Sequence, residues 1–376
     1  MSRTNNALLR LDWWLIAFII PLVVMSVLTM TSFGEVGNAS LAIRQGIWLL
    51  ISFTGMVVLS SIKLDFLRQS KVLLIVYGIG LVMLIGLIFF GSTINGSTSW
   101  YSFGAFSFQP SDTLKLIVIL ILAKYLARRH VEIKAIKHVF ITALYVLIPF
   151  LLIFIQPDFG SAAILLAIWL GMILVSGISK KHIVILVAVA GIIGAGLWVG
   201  VFEDYQKNRI ISFLNPLSDT QGTGYNAYQS TIAVGSGQLW GKGVGYGTQS
   251  RLHFLPEYET DFIFAAVAEE WGFIGSLIVV FLLLGIIVRI LILGSRMNSN
   301  FELLFAVGLA VYFLSHAIIN IGMNIGLLPV TGVTLPFLSY GGSHLLIEFA
   351  GLGILMSFAR NTRNVHSETK TEIFLR

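Results

Sequence analysis

The chain has 376 residues, of which 56% are hydrophobic and 11% are charged, and its formal net charge is +6. Soluble domains carry about 25% charged residues, so a chain this poor in charge is predicted to lie mainly in lipid. The lack of cysteine excludes disulfides, thiolate nucleophiles and Cys-ligated zinc, and it leaves the redox compartment open.

Ten apolar runs have the length and composition of membrane-spanning helices, which need about 20 residues each. We therefore predict an all-α protein that forms a single integral membrane domain over residues 1–376. The eighth run is too long for one span, and the polar sequence Glu269-Glu270-Trp271-Gly272 predicts a break, with the span proper starting near Phe273. The predicted spans are 13–31, 43–62, 72–90, 112–128, 139–156, 160–178, 183–201, 263–293, 303–325 and 342–359.

The distribution of basic residues predicts the orientation, because Lys and Arg collect in cytoplasmic loops. With a cytoplasmic N-terminus, 18 of the 24 Lys and Arg residues lie on the cytoplasmic side and six lie on the outer side. Both termini are then predicted to be cytoplasmic, and the longest loop, 202–262, extracytoplasmic. The polar outer segments favour a protein that binds or transforms something at the outer leaflet.

Two polar segments stand at helix boundaries in the first half of the chain. Asp112 and Lys115 are three residues apart at the start of the fourth span, so they share a helix face. An acid suits a helix start, whereas a cation opposes the dipole there, which favours a functional role for Lys115. Gln156-Pro-Asp-Phe-Gly160 is a very short turn between two spans, in which Asp158 either caps the next helix or lines a cavity.

The outer loop carries glycine at every second position from Gly241 to Gly247. Such a backbone can approach a ligand closely, and its N–H groups could cradle a phosphate. A flexible linker is the alternative, although linkers lack aromatic residues such as Trp240 and Tyr246.

Asp261 lies where this loop returns to an apolar run. A carboxylate at the mouth of the membrane is partly desolvated, which raises its pKa and suits it to act as a base near neutral pH. A helix N-cap is the alternative and needs no chemistry.

The last two spans contain polar residues. The ninth span carries three polar residues at intervals of four, His316, Asn320 and Asn324. Hydrogen bonding between helices is the favoured interpretation of these residues. Glu348 lies within the tenth span and is costly there unless it is protonated or paired, and His344 is the local candidate partner.

Several short segments, taken together and in order, resemble one family over nearly the whole chain. They are Asn95-Gly-x-x-x-Trp100, Gln109-Pro-Ser-Asp112, Gln156-Pro-Asp-x-Gly160, Arg209, Asn215-Pro216, Gln229-Ser230, Gly235-Ser-Gly237, Phe254-Leu-Pro-Glu257, Thr260-Asp-Phe-Ile-Phe-Ala265, Gly322-Met323, Pro329-x-Thr-Gly332 and Leu335-Pro-Phe-x-Ser-Tyr-Gly-Gly-Ser343. The family is SEDS (shape, elongation, division and sporulation), the polytopic peptidoglycan polymerases. Gln249-Ser-Arg-Leu-x-Phe254 and Leu11-Asp-Trp13 are more similar to its RodA branch than to its FtsW branch. Asp112, Gln238 and His344 depart from the usual Glu, Gly and Ser.

The resemblance implies a peptidoglycan glycosyltransferase that polymerises lipid II at the outer face of the bacterial cytoplasmic membrane during elongation and shape maintenance. It implies that Asp261 is essential, and as a base it would deprotonate the acceptor 4-hydroxyl in an inverting displacement. The implied substrate contacts are Lys115, Asp112, Arg209, Asp158, Gln229, Ser230, Glu257 and Ser339.

The resemblance also bears on cofactors and partners. Mg²⁺ or Mn²⁺ is a candidate cofactor, with Asp158 and Asp261 as candidate ligands. The expected protein partner is a class B penicillin-binding protein, a transpeptidase, and no nucleic acid is expected. Two alternatives stay open: a transporter that flips lipid II, and a non-catalytic scaffold of the cell-wall machinery.

Overall fold

The computed structural model describes residues 11–32, 40–94, 97–104, 106–129, 136–200, 223–252 and 254–374, together with positions 207, 211, 213 and 215. Helices dominate these residues, as the apolar runs predict. They are α1 (Trp13–Ser32), α2 (Ser40–Ser61), α3 (Ser70–Phe90), α4 (Pro110–Arg129), α5 (Ile136–Ile155), α6 (Phe159–Val175), α7 (Lys180–Gly200), α8 (Thr223–Ser236), α9 (Thr248–Arg251), α10 (Ile263–Ser295), α11 (Asn300–Asn324) and α12 (Gly342–Phe374), with a 3₁₀ turn at Asp65–Arg68.

A helix coincides with each run that the sequence predicts as a span. Among the described residues, seven helices are long and apolar enough to cross a membrane, and α6 is an apolar helix of 17 residues. The chain is therefore a membrane protein. The helix α4 is not one of the seven, since it carries Asp112, Lys115 and Lys124 along its length.

The helices differ in how deeply they are buried, and α11 lies at the centre. Within their most apolar stretches, 67% of α11 and 72% of α12 is buried inside the protein, against 28% for α2, α3 and α5. The central helix packs against α4, α6 and α10. Polar side chains on α11 therefore face protein rather than lipid, which is where hydrogen-bonding groups in a membrane are stable.

The long helix α10 is broken at Gly272, close to the predicted break. This residue has φ 71° and ψ −167°, a conformation open to glycine alone. The N–H groups of Phe273 and Ile274 donate to the carbonyls of Gln238 and Leu239 at 2.8 and 3.2 Å, so the segment before α10 supplies the acceptors that the broken helix lacks.

The expectation of an all-α fold is wrong for residues 92–108. Three short antiparallel strands lie there in the order β1 (Ser92–Ile94), β2 (Ser97–Phe103) and β3 (Phe106–Phe108). Alternating Ser and aromatic residues suit a sheet with one packed face. The Ser97 hydroxyl donates to the Gln156 carbonyl at 3.1 Å, so the sheet also supports the short turn before α6.

Candidate functional site

Asp261 lies in a tight turn that leads into the start of α10. The Glu257 carbonyl accepts hydrogen bonds from the N–H groups of Thr260, Asp261 and Phe262 at 3.2, 3.0 and 3.1 Å. Glu257 itself has φ 49°, in the left-handed region. Within this turn, the pKa of the Tyr258 hydroxyl is raised, mainly by burial and to a smaller extent by the negative charges of Glu259 and Glu257. The half-buried Asp261 carboxylate therefore projects from a backbone that is fixed by its own hydrogen bonds.

The segment 331–340 supports this turn from the side. The Ser339 hydroxyl donates to the Thr260 carbonyl at 2.6 Å and accepts from the Leu335 N–H at 2.7 Å. Gly332 lies beside the carboxylate, because a Cβ atom placed on it would be 3.4 Å from Asp261 Oδ2. Its φ of +73° also favours glycine.

Two side-chain amides of α11, those of Asn320 and Asn324, form hydrogen bonds with the backbone of the same turn. Asn320 Nδ2 donates to the Asp261 carbonyl at 2.8 Å and to the Val333 carbonyl at 2.7 Å. Asn324 Nδ2 donates to the Asp261 carbonyl at 3.0 Å, and its Oδ1 accepts from the Ala265 N–H at 3.0 Å. The sequence predicts hydrogen bonding between helices here, but it does not reveal that the shared acceptor is the backbone of Asp261.

The two capping interpretations have opposite outcomes. The N-cap of α10 is Phe262, without a side-chain cap bond, so the alternative that Asp261 caps this helix is wrong. Asp158 is the N-cap of α6, as one of its two interpretations predicts, and its Oδ1 accepts from the Ser161 N–H at 3.0 Å. Its Oδ2 accepts from Gln109 Nε2 at 3.0 Å.

A buried ionic cluster joins α4 to α12. Lys115 Nζ lies 2.9 Å from Asp112 Oδ1, and these two side chains are 2% and 3% exposed. The other Asp112 oxygen lies 3.3 Å from His344 Nδ1. His344 Nε2 is 2.9 Å from Glu348 Oε1, so these two side chains form an ion pair when the histidine is protonated. The partner proposed for Glu348 is thus confirmed, whereas the link to Asp112 was not foreseen.

The cluster also contacts the segment that supports the Asp261 turn. Glu348 Oε2 accepts from the Phe337 N–H at 3.1 Å, and His316 Nδ1 lies 3.1 Å from the Thr334 carbonyl. The rings of His316 and His344 are 4.7 Å apart. The carboxylates of Asp112 and Glu348 and the ammonium of Lys115 give the cluster a net charge of −1. One further proton bound by the cluster makes it neutral. A buried, nearly neutral cluster of this kind is suited to holding helices and a loop in one arrangement.

Five of the seven N–H groups at 241–247 already donate within the protein, so few are left for the phosphate that one interpretation expects. The fully buried Glu269 carboxylate accepts from the N–H groups of Thr248 and Gln249 at 2.8 and 3.1 Å and from Lys242 Nζ at 2.7 Å. Glu270 accepts from the Gly245 N–H at 3.1 Å. An internal anion therefore occupies the position expected for a ligand.

The flexible-linker alternative is wrong, because these bonds dock the segment on α10. Glycine is required for the close approach: a Cβ atom on Gly241, whose φ is +80°, would lie 2.1 Å from the Glu270 carbonyl oxygen.

Four predicted substrate contacts are still to be placed: Ser230, Gln229, Glu257 and Arg209. The buried Ser230 hydroxyl donates to the Asn324 carbonyl at 2.8 Å, which places α8 beside the Asp261 turn. Gln229 is half-buried, and its Oε1 makes no hydrogen bond within the part of the chain that the structure describes. The exposed Glu257 side chain accepts from the Thr260 hydroxyl at 3.0 Å. Arg209 lies outside the described residues.

The described residues do not form a protein cage for a divalent cation. No group of three or more His, Cys, Asp or Glu side chains with suitable spacing occurs among them. Both Asp158 oxygens already accept hydrogen bonds. Mg²⁺ usually binds through one or two carboxylates together with water or substrate oxygens.

Comparison with known proteins identifies the family. The model of the FtsW/RodA/SpoVE cell cycle proteins matches residues 6–364. The chain belongs to this family. The peptidoglycan glycosyltransferase MrdB of Escherichia coli K12 is 40% identical over 281 residues, which cover 75% of this chain and 76% of that protein. The stage V sporulation protein E of Bacillus subtilis is 38% identical over 299 residues, covering 78% and 80%.

Solved structures of FtsW/RodA/SpoVE proteins have the same fold. Rod shape determining protein RodA of Thermus thermophilus is 26% identical with a TM-score of 0.70, covering 93% of this chain and 97% of that one. A chain from a peptidoglycan synthase complex, described for its coordination of polymerization and crosslinking, is 27% identical with a TM-score of 0.79 and covers 93% and 98%. The SEDS resemblance read from the motifs is thereby confirmed.

Proposed function

We propose that this chain is a peptidoglycan glycosyltransferase that polymerises lipid II into glycan strands, with Asp261 as the general base. The relatives' names supply the reaction class, and the fold is shared with them. The observation that carries the assignment of Asp261 is its setting: a half-buried carboxylate on a turn held by two α11 amides and by Ser339. Helix capping does not account for it, since Phe262 caps α10.

The chemistry requires such a group. A sugar hydroxyl is a poor nucleophile, and a base within hydrogen-bond reach removes its proton as it attacks. In the proposed step, the acceptor 4-hydroxyl oxygen attacks C1 of the donor sugar from the face opposite the lipid diphosphate. The new C–O bond forms as the bond to the diphosphate breaks, Asp261 takes the proton, and the configuration at C1 inverts.

We assign the buried cluster a positioning role. The Lys115 side chain is 2% exposed and is paired with Asp112, so it contributes its charge rather than direct contact with a diphosphate. The Glu348 bond to the Phe337 N–H ties the cluster to the segment beside Asp261. Ser339 and Ser230 likewise hold the turn through bonds that occupy their hydroxyls.

Orientation and partner belong to the same proposal. We place all ten predicted helical spans in the bacterial cytoplasmic membrane, with both termini in the cytoplasm and the loop 202–262 outside. The excess of Lys and Arg residues on one side of the spans supports this orientation. A class B penicillin-binding protein is the proposed partner, supported by the likeness to a chain of a peptidoglycan synthase complex. The purified chain alone should then make glycan strands without cross-links.

The test uses purified protein, labelled lipid II and a gel that resolves glycan length. Asp261→Asn and Asp261→Ala should both lose about 10²–10⁴-fold in rate, the usual contribution of a general base, while melting as the wild type does. Glu259→Gln, two residues away, is the matched control and should polymerise normally. If Asp261→Asn works at more than a few per cent of the normal rate, the assigned base is wrong. If the wild type moves lipid II across vesicles without polymerising it, the enzyme assignment itself fails.

A further inference from the structure

A cavity of about 180 Å³ lies between α3, α4 and α5, far from Asp261. Lys124 and Arg128 of α4 line it, together with Tyr145 of α5 and the apolar side chains of Leu74 and Ile121. In the proposed orientation, the end of α4 and the starts of α3 and α5 are cytoplasmic. At about 1.5 Å per residue, these lining residues lie within roughly 15 Å of the cytoplasmic helix ends. That depth covers the head groups and first acyl carbons of the inner leaflet.

Within the part of the chain that the structure describes, neither cation of the cavity has a carboxylate partner. Lys124 and Arg128 are four residues apart and share a helix face. Neither forms a salt bridge within the described residues, whereas nearby Arg68 pairs with Glu302 and Asp65. The charges of Arg128 and Arg68 act against the Lys124 ammonium, which lies 5.8 Å from the centre of the Phe301 ring. An anion in the cavity would relieve this repulsion.

The remaining walls suit an amphipathic ligand. The half-buried Tyr145 has a hydroxyl that makes no hydrogen bond among the described residues, so it can donate to an anion. Leu74 is 50% exposed on the lipid-facing side of α3, and buried Leu73 and Ile121 continue the apolar surface inward. A cavity that combines two cations with an apolar wall open to lipid is complementary to a phosphate ester that carries an acyl chain.

We propose that this cavity binds the phosphate head group of an anionic glycerophospholipid from the cytoplasmic leaflet, with Lys124, Arg128 and Tyr145 on the phosphate and the acyl chain along Leu74. Basic pockets between membrane helices on the cytoplasmic side are known to bind such head groups. A general excess of basic residues attracts anionic lipids to the surface, but it provides neither the apolar wall nor the tyrosine hydroxyl. The site is separate from the proposed catalytic turn.

The experiment measures lipid binding by the purified, delipidated full chain. Phosphatidylglycerol and phosphatidylcholine are titrated in detergent, and bound lipid is counted by native mass spectrometry. Wild type should prefer phosphatidylglycerol. Each basic residue near a lipid surface contributes about fivefold in affinity, so the double variant Lys124→Gln/Arg128→Gln should bind it about 25-fold more weakly. Lys180→Gln/Lys181→Gln removes the same charge from the same side, outside the cavity, and should change binding less than about twofold.

A third variant separates the cavity from its charge. Leu74→Trp keeps both cations but fills the apolar wall, and it should also weaken phosphatidylglycerol binding. Three results would overturn the proposal: equal losses in the two double variants, unchanged binding by Leu74→Trp, or displacement of the lipid by millimolar inorganic phosphate. Stronger binding of undecaprenyl phosphate than of phosphatidylglycerol would assign the cavity to a different lipid and would refute it too.

Discussion

The docking of the segment 241–250 on α10 depends on the buried Glu269 carboxylate, which makes Glu269→Gln an informative change. The side chain keeps its shape and one acceptor oxygen, but it loses the charge that Lys242 Nζ contacts at 2.7 Å. The Thr248 and Gln249 N–H groups, at 2.8 and 3.1 Å from Oε1, then face a neutral amide with an NH₂ group of its own.

The magnitude follows from these contacts. A hydrogen bond to a charged group contributes about 1.5–3 kcal/mol, and removing one partner of a buried pair costs about 3–5 kcal/mol. Lys242 is 29% exposed and can turn to water, so the lower end, about 3 kcal/mol, applies. That corresponds to roughly a hundredfold larger population of the undocked loop.

Hydrogen exchange of the amides at 245–250 measures this population directly. They should exchange roughly a hundred times faster in Glu269→Gln, whereas Lys242→Gln, which leaves the carboxylate and its amide donors in place, should have a smaller effect. Trypsin cleavage after the exposed Arg251 offers a second readout. If exchange in Glu269→Gln equals that of the wild type, the carboxylate does not hold the loop and the reasoning is refuted.

Four further predictions follow from the site and the fold. Lys115→Ala should cut polymerisation about ten- to a hundredfold, the effect of one charged bond, in protein that still inserts, and near-normal activity would leave Lys115 with a structural role only. Asn324→Ala should slow polymerisation more than it alters substrate affinity, because it loosens the backbone of Asp261, and steady-state kinetics with lipid II would contradict this if only the affinity fell. Adding EDTA or Mg²⁺ should leave the melting temperature unchanged, since the described residues form no cation cage, and a rise of several degrees with Mg²⁺ would reveal one. Reporter fusions near residue 180 should report cytoplasm and those near residue 230 the outer side, and the reverse result would overturn the orientation.

The parts of the fold that depend on local pattern could be predicted from the sequence. The apolar runs predicted the helices, and the polar residues inside one run predicted the break at Gly272. The four-residue spacing between His344 and Glu348 predicted that their side chains would meet. These features are visible because the residues concerned are neighbours in the chain or on one helix. The strands at 92–108 were missed because such short, Ser-rich segments have weak periodicity.

Contacts between distant segments could not be predicted in this way. His344 meets Asp112 across 232 positions, and Asn324 reaches the carbonyl of Asp261 across 63. In the sequence, Glu269 only indicated a break in an apolar run. Nothing in its local sequence indicated that its carboxylate would accept hydrogen bonds from backbone N–H groups some 20 residues earlier. Sequence pattern identifies groups that need partners in lipid, whereas only the packed structure identifies the partners.

The buried cluster has a consequence for how the protein is made. The helix α4 is not among the seven described helices that are long and apolar enough to cross a membrane, and Asp112 and Lys115 lie near its start. His344, the other contact of Asp112, is synthesised 232 residues later. We therefore expect α4 to reach its final position in the membrane only after α12 has been made.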